Sequence, residues 1–224
     1  MALVVVVAGL KGGIGKSTVA LNVATALHRA GHRTLVVDAD SQATLRTWAG
    51  KAAEAGHDGP PVVGLDGRNL RRDLERVSAG FAFVVVDSPP RMGTEARAAM
   101  LAADLVLLPV VPGAADVWAL QETIAVLDDA RGIRPELRAA IVVNRSDRTA
   151  LATMTKGAVA DVGVPVLDAA LGARVAFGES TLAGLGVVDY APTSQAADEV
   201  RALTQAALAM LGKGPKDGKA RRAR

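Results

Sequence analysis

The chain has 224 residues, half of them hydrophobic but only 3% aromatic, so it can fill the core of one large α/β domain mainly with Val, Leu, Ile and Ala. The absence of cysteine removes disulfides, thiolate metal sites and cysteine nucleophiles together, and no run is long enough for a membrane span or basic enough at its start for a signal sequence. The net charge of +3 is uneven: residues 213–224 hold six basic residues and one acid, a +5 arm that leaves about −2 for the remainder.

The first predicted element is a strand over 3–8, "LVVVVA". The glycine-rich "GLKGGIGKST" (9–18) follows, then a helix over 17–30 that stops at Gly31. A second strand over 34–39 runs into "DADSQ", and a weaker one covers 61–65. A helix over 69–79 leads to "FAFVVVD" (81–87), an apolar strand ending on an acid and followed by Pro89 and Pro90. Next come a helix over 94–103, a strand over 105–110, a helix over 116–130, a strand over 139–144, a helix over 147–163 and a strand over 164–168. The last helix covers 194–211. The strands are apolar without alternation, as strands covered on both faces must be. Strand and helix in turn predict a doubly wound, mostly parallel sheet flanked by helices, one domain over 1–212 with a basic arm after it. Ligands of such sheets bind beyond the carboxyl ends of the strands.

The loop at 9–18 has the context of a phosphate loop, a strand before it and a helix after. Gly12, Gly13, Ile14 and Gly15 let backbone N–H groups curl around an anion, and Lys16, Ser17 and Thr18 open the helix whose positive dipole end faces it. Lys16 is suited to the β- and γ-phosphates, and the Ser17 hydroxyl to Mg²⁺. Asp87, at the end of the 81–87 strand, is the second metal candidate. The loop departs from the usual pattern, however: Leu10 stands where a glycine is expected, and Lys11 adds a second lysine.

The form "KGGIGKS" resembles the deviant Walker A loop of the ParA/MinD ATPase family, and the resemblance runs over about residues 2–211. Its look is nearest to small plasmid-type, ParF-like members, which begin directly at the first strand. The resemblance implies ATP and Mg²⁺ as cofactors and a homodimer formed on ATP binding. It implies that Lys11 reaches across the dimer to the partner's nucleotide. "DADSQ" is similar to the family's switch I, with Ser41 in place of the usual proline. Asp40 then corresponds to the residue that orients water and helps hold the metal, with Asp38 as second choice. Asn144 and Arg145 correspond to base contacts, and Pro112 and Asp116 to the other wall of the base pocket. "NRSD" (144–147) also approaches the guanine reader of GTPases, which leaves Asp147 as a rival base contact or a helix cap. Arg174, Arg201 and Lys213 are the candidates for DNA contact, each also readable as an ordinary surface charge.

These features imply a cytoplasmic switch ATPase that positions DNA or other large cargo. It would bind non-specific DNA on the nucleoid as an ATP dimer, and a ParB-like or cargo-adaptor protein would stimulate hydrolysis. A small-molecule ligase similar to dethiobiotin synthetase is the enzymatic rival. A membrane-associated, MinD-like role lacks support, because no large apolar side chain follows Leu211. His28, His32 and His57 have no metal spacing, and Trp48 and Trp118 read as packing residues.

Overall fold

Six strands hydrogen-bond in the order β3-β2-β4-β1-β5-β6, every pair parallel. The computed structural model describes residues 2–65, 69–90, 94–146 and 162–213. Asp147, nearly all of the helix expected at 147–163 and the arm beyond Lys213 lie outside these. In chain order the elements are β1 (Leu3–Val7), α1 (Lys16–Arg29), β2 (Thr34–Asp38), α2 (Thr44–Glu54), β3 (Val62–Gly64), α3 (Leu70–Val77) and β4 (Phe83–Asp87). They continue as α4 (Thr94–Ala102), β5 (Leu105–Val110), α5 (Ala114–Arg131), β6 (Arg138–Val143), α6 (Val175–Leu182), α7 (Val187–Tyr190) and α8 (Gln195–Met210).

Side chains alternate across each strand, so one apolar run fills two cores. Val5, Val7, Val36, Val85, Leu107 and Val142 face α1, α2 and α8. Val6, Leu35, Val37, Val86, Leu108 and Ile141 face α3, α4 and α5. This is why the strands show no polar face. β4 lies between β1 and β2, and its register sets Asp87 opposite both Val7 and Asp38. By the same parity Asp38 and Asp87 lie on the α1 side of the sheet, with Val36 and Val85 two residues earlier.

The expected elements that fall on the described residues are present with shifts of one or two residues at their ends, with one exception. α1 ends in a Schellman motif: Gly31 has φ 82°, its N–H reaches the His28 carbonyl, and His32 N–H reaches that of Leu27. The strand expected at 164–168 is a correction. Only Val166 bridges β6, at Ile141. Pro165 has no N–H to give and supplies only its carbonyl to Ile141 N–H, so the rung does not extend into a ladder. Trp118 is a second correction: Trp48 is buried at 4% exposure, whereas Trp118 stands 66% exposed on α5.

Three helices were not expected in their observed form, α2 and the short α6 and α7. α2 and α6 pack against each other, and Gly184, just past α6, makes the contact possible. It has φ +72°, and a Cβ there would meet the backbone of α2 at Ala52 N, 2.6 Å, and Ala52 Cα, 2.8 Å. Neither neighbour is a flexible side-chain end, so relief requires moving a helix. Gly184→Ala should therefore destabilise the fold by about 2 kcal/mol or more, read as a lower urea midpoint. An unchanged midpoint would show that α6 is not seated on α2 in solution.

Candidate nucleotide-binding site

The loop after β1 passes over the carboxyl end of the sheet and enters α1. Gly15 occupies the N-cap position with φ 89°, and no side chain caps the helix. The first N–H groups of α1 are therefore available to a ligand, at the positive end of its dipole. A Cβ on Gly12 or Gly13 would meet nothing within 4 Å, so the mouth of the loop is open on that side.

Three tertiary contacts hold the loop. The Leu10 N–H donates to Thr123 Oγ1 on α5 at 3.3 Å. Lys11 Nζ pairs with Asp116 Oδ1, also on α5, at 2.9 Å. Asn144 Nδ2, just past β6, donates to the Ile14 carbonyl at 2.7 Å. Asn144 is buried and lies where a Gly15 side chain would stand, so Gly15 is required twice, for its positive φ and for this approach. The contacts also explain how Leu10 is tolerated. The first half of the loop rests on α5 and does not need a glycine's freedom there.

Behind the loop lies a buried cluster of charge. Lys16 is 6% exposed, and its Nζ donates to the Lys11 carbonyl at 3.1 Å. Burial lowers its pKa, against the Asp87 and Asp40 carboxylates, which raise it. Asp87 is fully buried, and neither carboxylate oxygen has a hydrogen bond of ordinary geometry. The Ser17 hydroxyl faces it. Burial pushes the Asp87 carboxyl up to about 7; Ser17 and Lys16 act against this, and Asp38 and Asp40 add to it. Ser88 Oγ is likewise buried without a partner.

An orphaned carboxylate beside a hydroxyl, behind a glycine-rich anion cradle, is a hard oxygen donor set with coordination left over. That set fits Mg²⁺, which takes one or two protein oxygens and completes its shell with water and phosphate. Asp87 and Ser17 are the residues that would hold it. No group of three or more His, Cys, Asp or Glu among the described residues could hold a metal by protein ligands alone.

The two acids after β2 have different environments. Asp38 Oδ2 accepts the N–H groups of Leu45 at 3.1 Å and Arg46 at 3.0 Å, and Oδ1 accepts that of Asp40 at 3.2 Å. Asp38 thus caps α2, and its carboxylate is spent. Asp40 Oδ1 accepts the Gln42 N–H at 3.0 Å and lies within the field of Lys16 and Asp87. A recess of about 340 Å³ opens beside it, lined by Ser41, Arg46, Gly64, Pro89 and Glu95.

The other expected residues are placed as follows. Asp116 lies in the first turn of α5, where its carboxylate is engaged by Lys11. Asn144 spends its amide on the loop, and its Oδ1 accepts the Arg145 N–H at 2.9 Å. Arg145 itself adopts φ 50°. Pro112 is half-buried in the turn before α5. Arg174, a candidate for DNA contact, has its guanidinium taken by Glu199 through both oxygens, as close as 2.6 Å, which holds it charged. Arg201 is paired with Asp198 at 2.8 Å and donates to the Pro192 carbonyl. Lys213 is exposed. Thr123 was not foreseen, because a threonine on an apolar helix face carries no signal of its target.

Comparison with known proteins agrees with this geometry. The model of the "CobQ/CobB/MinD/ParA nucleotide binding domain" matches residues 5–187. Maintenance of carboxysome distribution protein A of Halothiobacillus neapolitanus is 32% identical over 202 residues, 89% of this chain and 93% of that protein. Chromosome-partitioning ATPase Soj of Thermus thermophilus is 31% identical over 241 residues, 92% of this chain and 96% of that one. Among solved structures, the septum site-determining protein MinD of Pyrococcus horikoshii, complexed with Mg-ADP, superposes with a TM-score of 0.73 at 22% identity. It covers 92% of this chain and 95% of its own.

Asp87 generates a pH prediction for the nucleotide-free protein in chelator. Its folded pKa, about 7, lies above the ordinary aspartate value of 3.8, so the native state holds the proton more tightly than the unfolded state. The contribution is least unfavourable below pH 4, and stability falls as pH rises through 7. Asp87→Asn removes the buried charge. It should stabilise the chain at pH 8 by a few kcal/mol relative to wild type, on the order of 1.4 kcal/mol per pKa unit, and by little at pH 4. Parallel melting curves at the two pH values would contradict this.

Proposed function

The chain belongs to the CobQ/CobB/MinD/ParA family of nucleotide-binding domains, P-loop NTPases for which ATP and Mg²⁺ are the cofactor pair, and from that membership we propose that it is an ATP-driven dimerising switch that positions DNA or another large cargo. The observation that carries this reading is the pair of lysines on one loop. Lys16 is turned inward among Asp40 and Asp87, and Lys11 is turned outward onto α5. One lysine suffices to bind a triphosphate. A second at the mouth is suited to another molecule's phosphates, as an arginine finger supplied in trans is.

In this reading the N–H groups of 12–18 cradle the phosphates, Lys16 pairs with the β- and γ-oxygens, and Ser17 and Asp87 hold the metal. Mg²⁺ supplies charge neutralisation on the phosphates when bound. Asp40 orients the attacking water. Of Asp38, Asp40 and Asp87, it is the one whose carboxylate is neither spent on a helix nor fully buried. Asn144 holds the loop, with Arg145 and Pro112 at the base side. Hydrolysis is stimulated by a ParB-like or cargo-adaptor protein. The similarity to a carboxysome distribution protein and to a chromosome-partitioning ATPase supports positioning as the purpose.

DNA contact is assigned to the dimer. Arg201 and Lys213 share the rim of a cavity of about 870 Å³ with Arg29, at the amino ends of β1 and β4 and remote from the loop. The +5 arm starts at this rim. Each monomer offers little charge, since Arg29 and Arg201 are already paired, and dimerisation doubles what is available. No helix among the described residues is long and apolar enough to cross a membrane. Nucleoid association in the ATP state is the localisation that goes with DNA contact by the dimer.

Asp40→Ala should bind ATP and accumulate as a dimer without turnover, measured by light scattering alongside phosphate release. Turnover at the wild-type rate would move the water-orienting role elsewhere. A non-hydrolysable ATP analogue should markedly tighten binding to random-sequence duplex relative to ADP, measured by anisotropy across salt. Each DNA phosphate neutralised contributes about −0.9 to the log–log slope, so removal of 213–224 should flatten it. Equal binding in both nucleotide states, or none, would direct the search to a small-molecule ligase and to the recess beside Asp40.

A further inference from the structure

The cavity of about 870 Å³ lies at the opposite end of the sheet from the phosphate loop, between the last turns of α1 and α8. Its volume is within the range of about 300–1,000 Å³ that holds small organic ligands. Its interior is apolar: Leu3 and Phe83 come from the first residues of β1 and β4, Val188 from α7 and Leu208 from α8. The space stays open because the facing positions are Ala26, Ala30 and Ala82, which have no side chain long enough to fill it.

Backbone polarity is closed off at both helix ends that border the cavity. α1 stops in the Schellman motif at Gly31. α8 stops in another, where Gly212 has φ 71° and the Lys213 N–H reaches the Leu208 carbonyl. The charge left at the rim is carried by side chains, three cations against one carboxylate: Arg29, Arg201 and Lys213 against Asp189. Asp189 is taken by Arg29 at 2.6 Å, and Arg201 finds Asp198 outside the cavity. Lys213 is exposed, with no carboxylate paired to it among the described residues. An apolar lining needs no charge at its edge, yet here a cation remains after the pairs are made.

We propose that this cavity is a second ligand site, for a small amphipathic organic anion. Its rings or alkyl chain lie against Leu3, Phe83, Val188 and Leu208, and its acidic head meets Lys213 with Arg201 beside it. Pocket and rim complement the two halves of such a molecule, the apolar part by burial and the head by charge. Duplex DNA meets the same rim from outside only, because a double helix cannot enter a cavity of this size. The site does not depend on the switch reading.

The probe is anilinonaphthalene sulfonate, an amphipathic anion whose fluorescence rises in apolar surroundings. It is titrated into the full chain with Mg-ADP at saturation, so that the nucleotide site is filled. One molecule per chain should bind, with a dissociation constant of about 10–100 µM, ordinary for a ligand of its size. Ala30→Phe and Ala82→Phe each put a ring into the cavity from an exposed position. Each should weaken the probe by about ten-fold or more at an unchanged melting temperature. Lys213→Glu should weaken it by about three- to ten-fold at low salt, and should leave its uncharged counterpart, phenylnaphthylamine, unmoved. That contrast separates an anion site from a merely apolar one. Wild-type affinity in both Ala30→Phe and Ala82→Phe would overturn the site, as would equal effects of Lys213→Glu on the two probes. Binding seen only when Mg-ADP is left out assigns the probe to the nucleotide site and also overturns it, as does a dissociation constant above about 1 mM.

Discussion

The nucleotide end of this molecule depends on one approach: the Asn144 amide reaching the Ile14 carbonyl through the space that Gly15 leaves empty. The loop has few contacts of its own, and a glycine-rich segment is entropically costly to order. Asn144 fixes its second half from β6, and Thr123 fixes its first half from α5. The loop is thus suspended between the strands and helices on one half of the sheet, while the carboxylates it works with come from the other half.

Those carboxylates converge because of strand register. β4 inserts between β1 and β2, so Asp87 is set level with Asp38 and with Val7, the last residue of β1. Three acids and one lysine gathered in a buried place are costly, and the structure offsets that cost unequally. Asp38 is satisfied by the N-terminus of α2 and Asp40 by the Gln42 N–H, whereas Asp87 has no such bond. Polar groups in a fold are normally satisfied, and the exceptions point to what the site is built to receive. Here the exception is a carboxylate buried behind the glycine-rich loop beside Ser17 and Lys16.

The division of the two lysines follows the same logic. Lys16 belongs to α1 and points back into the cluster, where Asp87 and Asp40 favour its charge against burial. Lys11 precedes the glycines and lies over α5, where solvent and one carboxylate compete for it. One lysine is buried within its own subunit, and the other is part-exposed and held by a single carboxylate.

The sequence by itself determined the doubly wound sheet, the phosphate loop, the acid-terminated strands and the family. Each of these is written in local pattern: apolar runs of strand length, glycines at fixed offsets, an acid at a strand end. It also located Lys11, Lys16, Ser17, Asp40 and Asp87 as the residues worth attention. It did not show α2, whose cap is supplied by Asp38 from the preceding strand while the residue at its own N-cap, Ala43, sits at φ 56° with no side chain to give. Nor did it show that 164–168 would make a single bridge, that Trp118 would face solvent, or that Arg174 would be taken by Glu199, 25 residues away. Tertiary structure alone decided what Asp116 and Asn144 touch, since their partners lie more than 100 positions earlier in the chain. A side chain's chemistry can be read from its letter, but its partner is chosen by packing, which brings together residues that no local pattern relates.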